Sequence, residues 1–130
     1  MTADVDLRYW SLCKYGSIAD GAADDCVYDE QAPLDAGVRY TIVVSTPAAR
    51  PANARPECGV AWMNWGVGDG IGVPHGGFLA FRHMLPSPNF KNSLWATQGL
   101  GDERRALGDC RPEATYEAKA AFEARSCPVR

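Results

Sequence analysis

Most of the signatures from which an activity can be read are missing from this chain. It has no apolar run near the ~18 residues needed to cross a bilayer. It has no C-x-x-C pair and no cysteine–histidine cluster, which leaves zinc and thioredoxin-type chemistry without a ligand set. There is no G-x-S-x-G elbow and no paired-carboxylate signature. The glycine-rich "GVGDGIG" is no phosphate loop, because neither G-K-[ST] nor G-x-G-x-x-G leads from a strand into a helix there. Basic residues are nowhere concentrated. Positions 1–35 hold eight acids against Arg8 and Lys14, a net −6, and the remainder carries +3. That distribution argues against a nucleic-acid partner, which needs a concentrated basic footprint.

The first ten residues, "MTADVDLRYW", offer neither a basic nor an apolar leader region. The alternatives are a cytosolic protein or a mature form carrying an added initiator Met1. The cysteines favour the latter. Cys13, Cys26, Cys58, Cys110 and Cys127 are scattered without metal spacing, as in a disulfide framework from an oxidising compartment. The expected location is therefore secreted, periplasmic or cell-surface, with no membrane span. Five is an odd number, so at least one thiol is free or pairs with another chain.

A chain of 130 residues suits one domain with one core. Strand patterns fill its first two-thirds. "LRYWSLCKY" (7–15) is aromatic and alternating, with Trp10 and Leu12 on the inward parity. "CVYDE" (26–30) reads as a short return strand, and "VRYTIVVST" (38–46) is β-branched. "GVAWMNW" (59–65) and "GFLAFRHML" (77–85) complete the set. The connections carry the punctuation of turns: "GSIADGAADD", "APLDAG", the proline-rich "PAARPANARPE" and the long "GVGDGIGVPHGG". After Pro86 the pattern changes. Ser87 and Pro88 resemble a helix start, and the alanine- and glutamate-rich stretch 111–125 predicts a helix. The expected fold is mainly β: an antiparallel β-sandwich or jelly roll over 6–86, with a helical, disulfide-tethered tail over 87–130.

"LRYWSLCKY", "VRYTIVVS", "GVAWMNWG" and "GFLAFRHMLPSP" occur in an order that resembles a known pattern. It is that of the carboxy-terminal β-sandwich domain of a family of large bacterial two-domain proteins of unknown function. The chain also looks like small exported actinobacterial-type proteins that carry this sandwich alone. Trp10, Ser11, Leu12 and Tyr15 match its first strand motif, and Arg39, Tyr40 and Ile42 its second. Trp62 and Trp65 match its third, and Phe78, Arg82 and Pro86 its last. "WMNW" lacks the family's proline, the cysteines are additional, and the tail has no counterpart. The resemblance implies the sandwich, and the family has no established catalytic residues to carry over.

Cys13 and Cys26 lie on successive strands joined by a turn, within reach of the ~5.5 Å Cα spacing of a disulfide. Cys58 is expected to pair with Cys110 or Cys127 and so tie down the tail. Strand parity puts Trp62 and Trp65 on opposite faces, so they cannot share one ligand without a bulge. Trp62 then belongs to the core. Trp65, at the mouth of the glycine loop, is expected to form a contact surface with Asp69, His75 and Gly76. The expected role is binding another protein, or acting as an accessory subunit, with no catalytic group, cofactor or metal. Two alternatives remain open. One is a carbohydrate or small-molecule module using surface aromatics. The other is an enzyme using Cys58 with His75 or His83, or a histidine–carboxylate metal site. The acids Asp20, Asp24, Asp25, Asp29 and Glu30 could in principle bind calcium but lack EF-hand spacing.

Overall fold

A computed structural model describes residues 7–19, 21–68, 72 and 75–129. Among these described residues five strands form: β1 (Leu7–Tyr15), β2 (Ala23–Tyr28), β3 (Thr41–Ser45), β4 (Val60–Asn64) and β5 (Phe78–Pro86). Two short α-helices follow, α1 (Glu103–Leu107) and α2 (Lys119–Glu123), and isolated 3-10 turns punctuate the connections. The fold is a small mixed one, built on one three-stranded sheet, ordered β2-β1-β5, and one two-stranded sheet, β3-β4.

The strands form where β-branched and aromatic residues alternate with polar ones. β1 and β2 are antiparallel, with Ser11 opposite Tyr28 and Cys13 opposite Cys26. The β3–β4 pair corrects the expectation of a wholly antiparallel fold. It is parallel, with Thr41 beside Val60 and Ser45 beside Asn64. Parallel neighbours need a long crossover. The proline-rich segment provides it through 3-10 turns at Pro47–Ala49 and Pro56–Cys58.

The chain divides into two compact units, Ser11–Phe81 with Glu117–Arg130, and Met1–Trp10 with Arg82–Tyr116. In the first, β4 is buried on both faces. Val60 joins Ala54, Cys58, Phe122 and Val129 in a core against which Val43 and Trp62 pack. Ala61 and Met63, of opposite parity, are buried as well. The tail is held there by several bonds. The Asn53 side-chain amide donates to the Phe122 carbonyl at 2.9 Å, and the Val129 N–H donates to the Cys58 carbonyl at 3.0 Å. Sinking the Phe122 ring contributes about 1.5–3 kcal/mol.

The helix expected over 111–125 shrinks to α2. Residues 112–118 are exposed throughout. Without an apolar face to bury, good helix propensity does not sustain so short a helix. In the second unit, α1 buries Ala106 and Leu107, and the Asn92 side-chain amide donates to the Leu107 carbonyl at 2.9 Å.

Cys13 is bonded to Cys26, and Cys58 to Cys127. Cys110, counted above among the disulfide candidates, is free and exposed. The tail path delivers Cys127, not Cys110, to the start of β4.

Candidate functional site

Past β4 the chain enters its longest glycine-rich connection. The Trp65 N–H donates to the Ser45 carbonyl at 2.9 Å, extending the parallel pairing by one bond. Gly66 then turns through a φ of 76°, a conformation that favours glycine. A Cβ there would also fall 2.8 Å from Asp24 Oδ2. At the far end, a Cβ on Gly77 would lie 2.5 Å from the Tyr15 carbonyl and 2.7 Å from Lys14 Cε. Both ends of the loop therefore rest directly on β1 and β2, an approach that only glycine permits.

The loop is closed by His75. Its N–H donates to the Val67 carbonyl at 3.2 Å, and its own carbonyl accepts the Trp65 indole N–H at 2.7 Å. Beneath the indole lies Lys14, fully buried, with Nζ 5.1 Å from the ring centroid. Its ammonium pairs with the Asp24 carboxylate. A buried charge is tolerated only when paired in this way. Asp24 reaches Lys14 through an irregularity in the ladder. Lys14 is opposite Asp25 and Tyr15 is opposite Ala23, so Asp24 is the extra residue of a β-bulge.

Of the residues expected at the contact surface, Trp65 and His75 are thus directly bonded. Trp65 is half-buried, its ring turned onto Lys14, while His75 and Val67 are exposed. Gly76 is half-buried beside them, and Asp69 lies outside the described residues. Lys14 and Asp24 were not anticipated as partners. Lys14 shares the inward parity of Trp10 and Leu12, a signal that could have located it.

The other candidates find different employment. Cys58 is buried in a disulfide, so it supplies no nucleophile. Asp25 accepts the N–H groups of Asn64 at 2.8 Å and Cys26 at 2.9 Å, and Asp29 accepts that of Glu30. Asp20 lies outside the described residues. Among the described residues no three His, Cys, Asp or Glu side chains gather closely enough to hold a metal ion. His83 is on β5 in the second unit, where burial pulls its pKa below 6.5. Burial tends to raise the Asp35 carboxyl. Hydrogen bonds from the Arg39 N–H, the Thr41 hydroxyl and the Gly37 N–H, with the Arg39 charge, outweigh it and hold that carboxyl below its usual value.

Each unit also carries an open depression among its described residues. One, of about 360 Å³, lies between β2 and β4, with Val27 and Ala61 in its lining and Arg50 and Trp62 beside them. Arg50 covers the Trp62 ring at 4.5 Å and donates from Nε and Nη2 to the Ala54 carbonyl. The other, of about 370 Å³, lies within the second unit and is lined by Leu85, Pro86, Pro88, Phe90 and Trp95. Trp95 is 83% exposed.

No protein-family model matches the chain, and no curated protein or solved structure is significantly similar to it. The fold and site define a small disulfide-stapled protein that presents a braced glycine loop. Two disulfides fit an oxidising compartment. Among the described residues no helix is long and apolar enough to cross a membrane.

Proposed function

We propose that this is an exported binding or accessory protein, recognising a protein partner through the 66–77 loop and performing no chemistry on it. The observation that carries the reading is the bracing of the loop by His75, bonded through its N–H to Val67 and through its carbonyl to Trp65. A loop with a fixed base and an exposed rim binds with little ordering cost. Val67, 73% exposed, and the His75 ring form that rim.

The two sheets are read as the halves of a β-sandwich. The bond from the Asn64 N–H to the Asp25 carboxylate, which links β4 to β2, supports that arrangement. The likeness to the sandwich domain of large bacterial two-domain proteins, and to small exported proteins that carry it alone, belongs to the same proposal.

Placing a photo-reactive amino acid at Val67 or at His75 in the producing cells tests the loop. Cross-links to one partner are expected from both positions and not from Val38, which is exposed in a separate turn. Cross-linking from Val38 alone would assign the contact elsewhere.

Trp95 favours a second reading, a small-molecule or carbohydrate site on its exposed indole beside Phe90 and Pro88. Tryptophan fluorescence titrated with several oligosaccharide classes, in the native chain and in Trp95→Ala, decides it. A flat response across all classes removes this reading.

A further inference from the structure

We propose that Lys14 and Asp24 are the two halves of an intramolecular isopeptide bond. It would be a covalent link between β1 and β2 beside the Cys13–Cys26 disulfide. Three independent features converge on it. The regular ladder sets Asp25 opposite Lys14, and the bulge re-aims Asp24 onto the amine instead. Two glycines then let the loop backbone come down on both side chains, Gly66 against the Asp24 carboxylate and Gly77 against Lys14 Cε. Finally, the Trp65 indole covers the amine, whose side chain is wholly shielded from water. An ordinary surface ion pair needs none of these devices.

Enclosure of this kind turns two weak reactants into a positioned pair, the circumstance in which intramolecular reactions gain most. It also withholds the water that would keep the amine solvated. The ammonium passes one proton to the carboxylate, giving a neutral amine and a neutral carboxylic acid. The nitrogen lone pair attacks Asp24 Cγ, forming the Nζ–Cγ bond. The C–OH bond then breaks, and the hydroxyl leaves as water with a second proton from the nitrogen. A secondary amide with one N–H remains, and no oxidant or co-reactant is consumed. The Asp24 side chain is 31% exposed, which gives the released water an exit. The product is neutral, so the buried ammonium is replaced by an uncharged amide nitrogen.

Intact mass of the purified full chain under denaturing conditions tests the proposal. The expected mass is lower by one water than that of the chain with its two disulfides. After reduction, a chymotryptic digest cut at Tyr15 should still hold the residue-14 and residue-24 peptides together. Lys14→Arg should have the full mass with both disulfides formed. Asp24→Asn should form the same amide with loss of ammonia, so its product should weigh the same as the native one. A native chain at full mass with both disulfides closed overturns the proposal. So does a water loss that persists in Lys14→Arg. Neither outcome bears on the binding role of the loop.

Discussion

The indole N–H of Trp65 and the carbonyl of His75 meet at 2.7 Å, joining the first residue after β4 to the far side of the glycine loop. This bond braces the two ends of the loop against each other. Trp65→Phe keeps an aromatic ring over Lys14 and removes the donor. The expected cost is about 0.5–1.5 kcal/mol, with faster amide exchange at His75 and unchanged exchange in β1 and β2. Native-state hydrogen exchange read residue by residue checks it. Unaltered protection at His75 would show that the brace lies elsewhere.

The Cys58–Cys127 bond spans a sequence separation of 69 and holds the tail against the core. Replacing both cysteines by alanine should cost about 2–5 kcal/mol. It should also expose Lys119 and Arg125 to trypsin well before the rest of the unit is cut. Denaturant melts and timed digestion give the two readouts.

Stability at low pH should depend on Asp35. Its folded pKa lies below the ordinary 3.8, so its contribution is complete above 3.8 and is lost as pH falls through the lower folded value. In Asp35→Asn that part of the acid dependence should vanish. Thermal melts of both proteins from neutral pH to about pH 2 should therefore differ most at neutrality and converge under acid. A difference that stays constant with pH would mean that Asp35 acts only through its hydrogen-bond geometry.

Cys110 is the one cysteine outside the disulfides, and it is exposed. A thiol reagent should titrate one equivalent per native chain and none in Cys110→Ser, with melting behaviour otherwise preserved. More than one equivalent in the native protein would mean that one of the two disulfides is incompletely formed.

Much of the strand layout is legible from residue pattern. The span 7–15 coincides with β1 because alternating aromatic and polar residues suit a half-buried strand. The Cys13–Cys26 link follows from two cysteines on strands joined by a turn. Strand direction is another matter. "VRYTIVVST" looks the same whether its neighbour runs parallel or antiparallel, and only the crossover through Pro47–Ala49 and Pro56–Cys58 decides it. The choice between Cys110 and Cys127 depends on the route of the tail, which no local pattern encodes. The same limit hides the site. Parity places Lys14 inward, but the bulge that brings Asp24 to it is a property of the paired strands, not of either alone. The predicted helix over 111–125 survives only as α2, where Phe122 meets the core; residues 112–118 have a favourable composition and no surface to pack on.

The core of the larger unit is closed by Phe122 and Val129, far along the chain from the Ala54, Cys58 and Val60 they cover. A ribosome delivers those groups in that order, so β4 emerges and waits with one apolar face bare. That core cannot close until the segment bearing Phe122, Cys127 and Val129 has been delivered, and any factor that escorts the chain before then meets an uncovered face of β4.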